Sequence, residues 1–417
     1  MKTSFTKYLN KGHERTVKAK KNILGLFALR VINIVIGLLL VPVTLEYLDE
    51  TKYGIWITLT SIISWAAVFN VGLGNGLRNK LAESLALDKM QLARKYVSTT
   101  YFLIALIFGI IFIVFSIINP YVPWHKILNT PFSLNDELII LAYTVFGFFC
   151  LKMVGQLIST VYNAHQRPAM VSVYQTIARV CTLIGVLILV KANDNSLIKL
   201  GFVLSVMPVI TFFAANIVGY AKTFEPIKPS FKFINLAYSK DLIGLSAKFF
   251  IVQIAGIILY TTDNIIITQL FSPAEVTPYQ IAHKYFGIVL MLFIIIVTPF
   301  WSAITDAYTK KEYWWIKKSI KKLILIWLLA ILGLIVMLVF SNYAYEIWIG
   351  NRTQIPFSLS AFWAIFVAIQ SLNAIFVHFI NGTGFVKLQM IVGGIAAVLN
   401  IPLSILFAKT FELGVDG

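Results

Sequence analysis

The chain has 417 residues, 59% of them apolar and only 13% charged, with a mean hydropathy of +0.82 and a formal net charge of +17. A soluble protein carries about a quarter charged residues, so this composition excludes an ordinary water-soluble enzyme or binding module. The positive excess sits mostly in short connections beside apolar runs, which is a membrane-topology pattern, so no nucleic-acid partner is expected.

Residues 1–22 form a basic arm with Lys7, Lys11, Arg15, Lys18, Lys20 and Lys21. The first apolar run after it is of span length and lacks a small-residue cleavage pattern, so no signal peptide is expected. Runs of span length recur at 23–45, 54–73, 97–118, 138–160, 169–190, 198–220, 242–268, 279–301, 323–340, 357–379 and 386–408. These are continuous rather than alternating, which predicts helices and argues against a β-barrel, because backbone in hydrocarbon must satisfy its own hydrogen bonds. Alternate loops hold most of the Lys and Arg, among them Arg78, Lys80, Lys89, Arg94 and Lys95, and later Lys310, Lys311, Lys317 and Lys318. That bias places the N-terminal arm in the cytoplasm.

The basic connection 221–241 divides a predicted N-terminal bundle (23–220, spans one to six) from a C-terminal one (242–417, spans seven to eleven). An odd span count leaves the chain end outside, and the turn-like residues 411–417 predict a twelfth helix beyond it. The amphipathic stretch 80–95 is expected to lie along the inner membrane surface. The expected fold class is therefore an all-α polytopic membrane protein of two helical bundles, six plus five spans.

Five cations fall inside the runs: Arg30, Lys152, Arg179, Lys248 and Lys284. Each costs about 2.5–3.5 kcal/mol at a helix centre, so each needs a physical reason to be there. Within the runs only Asp263 is plainly acidic. At about 1.5 Å per residue, Arg30 and Lys248 lie roughly 10 Å in, Lys152 roughly 12 Å, and Arg179 roughly 15 Å, near the midplane. Asn33, Gln156 and Gln175 extend the faces of Arg30, Lys152 and Arg179 at helical spacing. Arg30 and Lys248 are near enough to the edge to snorkel, and Lys284, in the outer half, either reaches outward or pairs with Asp263. Arg179 and Lys152 are expected to line a polar cavity. A guanidinium fork and a compact ammonium both suit a phosphate, so Arg179, Lys152, Arg30 and Lys248 are the candidate anion-binding residues.

Asp263 and Asn264, within Thr261-Thr262-Asp263-Asn264, read either as a coupling-ion or proton site or as an interhelical polar contact. Cys150 and Cys181 lack metal-ligand spacing, and no phosphate-binding loop, metal cluster or nucleophile motif is present, so neither metal, cofactor nor catalysis is expected.

The stretch Tyr53-Gly54-Ile55-Trp56, with Ser61, Ile62 and Trp65, and above all Gly72-Leu73-Gly74-Asn75-Gly76-Leu77-Arg78-Asn79-Lys80-Leu81-Ala82-Glu83, resembles the Wzx-type O-antigen and capsule flippases of the MATE-like superfamily. Tyr96-Val97-Ser98-Thr99, Asp263-Asn264-Ile265-Ile266-Ile267 and Ile347-Trp348-Ile349-Gly350 add to the resemblance. It implies paired bundles around a central cavity that opens to one side at a time. It also implies an undecaprenyl-diphosphate-linked oligosaccharide as substrate, carried across the bacterial inner membrane, with a polysaccharide polymerase as a further partner. A multidrug or organic-cation antiporter of the same superfamily would favour buried carboxylates, in which this chain is poor. A membrane-embedded glycosyltransferase or polymerase would need a catalytic acid or base on a sizeable loop, whereas the outer loops 119–137 and 341–356 are short.

Overall fold

The structure, a computed structural model, describes residues 14–70, 72–165, 167–192, 194–239, 242, 254, 256, 258, 259, 261–383, 386–411 and 414–416. Fourteen helices of eight residues or more carry the chain among them: α1 (Glu14–Tyr47), α2 (Glu50–Ser64), α3 (Leu73–Ala86), α4 (Met90–Ile118), α5 (Asn135–Gly155), α6 (Leu157–Ala164), α7 (Pro168–Ala192), α8 (Leu197–Val218), α9 (Asp263–Leu270), α10 (Pro273–Thr309), α11 (Tyr313–Val339), α12 (Ser341–Ile349), α13 (Phe357–Thr383) and α14 (Val386–Ile405). The described residues contain no strand. Ten segments are long and apolar enough to cross a membrane, and they coincide with ten of the eleven expected spans. The remaining expectation, 242–268, lies largely outside the described residues, which show its end as α9.

Helix ends differ from the apolar runs for a physical reason: hydropathy measures contact with hydrocarbon, not helix length. Thus α4 begins at Met90 and carries Arg94 and Lys95 in its first turns, and α11 begins at Tyr313 and carries Lys317, Lys318, Lys321 and Lys322. Asp49 caps α2 by accepting the Lys52 amide at 2.7 Å, which satisfies one of the orphan donors at a helix start. The stretch 80–95 is not one surface helix. It breaks at Asp88, whose φ is 54°, so its first half ends α3 and its second half begins α4. In α3, Leu73, Leu77 and Leu81 recur at four-residue spacing and are buried, while Arg78, Asn79 and Glu83 face outward. Gly72, at φ 69°, makes the left-handed turn that opens α3, a conformation glycine reaches without a Cβ penalty.

The chain folds into two compact units, each discontinuous in sequence. The first spans Met1–Val43, Ala66–Val122 and Ile139–Phe249, and holds most of α1 together with α3, α4, α6, α7, α8 and most of α5. Within it α7 packs along α8, and α3 packs on α4 and α6. The second comprises Thr44–Trp65, Pro123–Leu138 and Phe250–Gly417, and holds α2 and α9 to α14. Within it α10 packs against α13, α2 and α11, with Ala282, Phe286, Leu334, Leu359, Trp363 and Val367 forming one buried cluster.

Two glycines of the resemblance motifs acquire a structural reason. A Cβ on Gly54 would fall on the carbonyl of Pro273, so glycine is what lets α2 meet the start of α10. Gly76 meets the backbone of Leu242 in the same way within the first unit. Gly54→Ala is expected to lower stability by about 1–3 kcal/mol or more, because backbone rather than a flexible side chain must yield. Gly109→Ala, with nothing within 4 Å of its new methyl, is the matched control. Thermal denaturation of the detergent-solubilised proteins checks this: a lowered midpoint for the first and an unchanged one for the second.

Candidate functional site

The first unit brings part of the predicted cationic set onto one junction. Asn33 on α1 donates from Nδ2 to Thr176 Oγ1 of α7 at 2.7 Å and to its own helix at Leu29 O. Arg179, three residues after Thr176, donates from Nη1 to the Asn33 carbonyl oxygen at 2.7 Å. Gly37 lies beside the guanidinium: a Cβ there would stand 3.4 Å from the same Nη1, in ordinary van der Waals contact. The guanidinium has five N–H donors and this bond uses one. Arg30 sits one turn before Asn33 on α1 and is exposed, as is Arg179.

At 3.6 residues per turn, successive side chains rotate by about 100°. The exposed apolar residues of α1, Phe27, Val31, Val35 and Leu39, therefore form a stripe on the side away from Asn33 and Gly37, with Arg30 to the side of the stripe. On α7 the stripe Ile177, Val180, Ile184 and Ile188 likewise lies across the helix from Gln175 and Arg179. Both helices thus show a hydrocarbon-compatible surface and an exposed cation outside it.

Lys152 lies on α5, half-buried, and its ammonium makes no hydrogen bond or ion pair among the described residues. The described ion pairs, Lys80–Glu83, Lys199–Asp194 and Arg352–Glu46, touch none of Arg30, Lys152 or Arg179. Lys248 lies outside the described residues. A small cavity of about 190 Å³ opens beside this junction, lined by Asn70, Gln156, Ser159, Thr160 and Gln175 with Phe212 behind them.

The second unit carries a different chemistry. A cavity of about 470 Å³ is lined by Asp263, Asn264, Tyr279, Gln280, His283 and Trp363 among others. Asp263 accepts from the Tyr279 hydroxyl through Oδ2 at 2.8 Å. Asn264 is a junction: its Oδ1 accepts from Gln280 Nε2 at 2.7 Å and its Nδ2 donates to Ser61 Oγ at 2.8 Å, tying α9 to α10 and α2. Thr58 and Thr268 pair through their hydroxyls at 2.8 Å one turn further on. Of the two sequence expectations for this pair, Asn264 thus makes an interhelical contact, and Asp263 faces a cavity. Lys284 does not pair with Asp263. It donates to the Tyr53 hydroxyl at 2.8 Å, on the ring 5.5 Å from its Nζ, so the tyrosine of the Tyr53–Trp56 motif is its partner. His283 stacks on Trp363 at 4.5 Å and 19°.

Sequence reasoning set Asn33 with Arg30 and Gln175 with Arg179, and did not foresee the Arg179–Asn33 bond. It missed Asn70, Ser159, Thr160, His283 and Trp363. The available signal was polar residues at the ends of spans two and four, where an interfacial position is the ordinary explanation.

These features define an all-helical multi-pass membrane protein with the fold of MATE-type transporters. An inward-facing multidrug-resistance MATE family transporter of the MOP superfamily superposes with a TM-score of 0.76 at 12% identity, over 93% of this chain and 89% of that one. The lipid II flippase MurJ, in an inward closed conformation, superposes at 0.70 and 15% identity, over 94% and 83%. The sequence then narrows the class. The model of the polysaccharide biosynthesis protein family matches residues 19–305, and the chain belongs to that family. It is 25% identical over 372 residues to a protein of Salmonella typhimurium named as an O-antigen transporter, covering 84% of this chain and 82% of the relative. A protein of Yersinia pseudotuberculosis named as an O-antigen export protein is 20% identical over 390 residues, covering 92% and 88%. The family resemblance read from the motifs is therefore upheld.

Asn264→Ala is expected to cost about 1–3 kcal/mol, because it removes a buried side chain that bonds the half-buried Gln280 and Ser61. Asp263→Asn retains an acceptor for Tyr279 and should cost less. Thermal midpoints of the two purified variants test this ordering.

Proposed function

We propose that the protein is a flippase rather than an enzyme, and that it moves undecaprenyl-diphosphate-linked oligosaccharide across the bacterial inner membrane for polysaccharide assembly, by alternating access and with its N-terminus in the cytoplasm. The observation that carries this is the pair of exposed cations, Arg179 across α7 from its apolar stripe and Arg30 to the side of the stripe on α1. An arginine facing hydrocarbon near mid-span is expensive, so such a side faces water or an anion. A diphosphate supplies that anion, and the names of the family relatives point to the same kind of cargo. Arg179, with donors to spare beyond the Asn33 bond, binds the diphosphate with Arg30 and Lys152, and Lys248 joins them in this proposal. Asp263, in the second unit's cavity, is the proposed coupling-ion or proton site, with Asn264 holding its helix in place. A polysaccharide polymerase is the proposed downstream partner.

The experiment is complementation of a strain lacking its own polysaccharide flippase. Arg179→Ala and Lys152→Ala should each lower surface polysaccharide on the order of tenfold or more, since a charge-assisted hydrogen bond is worth about 1.5–3 kcal/mol. Membrane levels measured by blotting should be unchanged. Arg179→Lys should fall between Ala and wild type, because it keeps the charge and loses the fork. Wild-type polymer from both Ala variants would overturn the assignment.

A further inference from the structure

The small cavity one helical turn from Arg179 gathers several side chains whose hydrogen-bonding capacity is unused. Many helix hydroxyls of this unit fall back on the carbonyl four residues earlier: Thr100 on Tyr96, Ser116 on Phe112, Thr176 on Ser172, Thr182 on Ala178 and Thr211 on Met207. That is the default for an apolar environment. Ser159 and Thr160, which line the cavity, make no such bond among the described residues. Gln175 likewise spends neither donor nor acceptor there, and Gln156 finds only the thioether of Met153 at 3.1 Å, a weak acceptor. Asn70 leaves its Oδ1 without a partner. The wall is thus rich in groups that both donate and accept, and it carries no charge. Phe212 adds a ring behind them.

Position adds a second observation. Gln175 precedes Arg179 by four residues on α7, and Gln156 follows Lys152 by four along α5 and into α6. Alternate spans run in opposite senses, so both carboxamides are displaced from their cations in the same direction, by about 6 Å at 1.5 Å per residue. The first unit therefore holds a layer of cations and, one helical turn away, a layer of neutral donor-acceptors. A volume of about 190 Å³ equals about six waters at roughly 30 Å³ each, room for a single ring rather than a chain.

We infer that this cavity is a saccharide subsite, which takes the first sugar ring of the lipid-linked cargo while its diphosphate lies against Arg179 and Lys152. The inference rests on the flippase reading. Sugar hydroxyls are paired donors and acceptors, so side-chain amides and hydroxyls match them where a charged group would not. The ring's C–H face packs on Phe212. The wall reads hydroxyl groups in general, and a cavity that holds one ring reads the first residue and leaves the rest of the oligosaccharide uncontacted by this wall.

The test uses the full-length protein in lipid nanodiscs, with polyprenyl diphosphate and the same lipid carrying one glucose, galactose or N-acetylglucosamine as probes. Wild type should bind at least one sugar-bearing lipid about tenfold more tightly than the bare diphosphate. Gln175→Ala, at an exposed position that leaves the core intact, and Ser159→Ala with Thr160→Val should erase that difference and leave bare-diphosphate binding unchanged. Arg179→Ala should weaken both classes alike. A free monosaccharide that binds wild type as tightly as the lipid-linked form would overturn the link to the diphosphate layer. If all wild-type affinities are equal and the cavity variants change none, the subsite is refuted and the flippase reading stands. If wild type binds none of these lipids, the flippase reading itself fails.

Discussion

A guanidinium without a carboxylate is the constraint on which the first unit turns. Arg179 is held to α1 by one bond to the Asn33 carbonyl and to nothing acidic among the described residues. One carbonyl partner satisfies one of its five donors, and the rest call for water or an anion. The local sequence fits that need: Asn33 bonds Thr176 to bring the helices together, and the exposed apolar stripes of both helices turn away from Arg179 and Asn33. A structure that wanted only stability would have neutralised this arginine with an aspartate or replaced it with leucine. It does neither, and the cost is one that anion transport explains.

The second unit answers the same dielectric problem in the opposite manner. Its buried polar groups are largely paired with one another: Asn264 with Ser61 and Gln280, Thr58 with Thr268, Lys284 with Tyr53. A satisfied network rigidifies, because in low dielectric each lost partner is expensive. Asp263, bonded to Tyr279, is the acid among the side chains that line the cavity, and that makes it the candidate for exchanging an ion. Cation-rich surface in one unit and a single cavity-facing acid in the other give the two units separate chemical tasks.

Most of the fold was legible in the sequence, since continuous apolar runs of about 20 residues leave little choice but a spanning helix. The cations were legible too, because a charge in such a run is conspicuous. Their partners were not. That Lys284 meets Tyr53 rather than Asp263 depends on how α2 packs on α10, a contact between residues more than two hundred positions apart that Gly54 permits. The cavity of Asn70, Gln156, Ser159, Thr160 and Gln175 escaped for a related reason. Gln156 and Gln175 were already marked by their spacing from Lys152 and Arg179, but Asn70, Ser159 and Thr160 alone look like ordinary polar groups, and only assembly brings the five to one wall. The break at Asp88 was hidden as well, because the amphipathic pattern runs straight through a residue whose positive φ ends the helix.

The central claim is that the exposed cations serve an anionic lipid headgroup. Its most direct test is transport by the purified protein in proteoliposomes, with a fluorescent polyprenyl-diphosphate saccharide in the membrane and its leaflet distribution read by a membrane-impermeant quencher. The account predicts protein-dependent exchange of the diphosphate lipid between leaflets, slowed by excess unlabelled polyprenyl diphosphate and unaffected by organic cations. Uptake of organic cations with no movement of the lipid would contradict it.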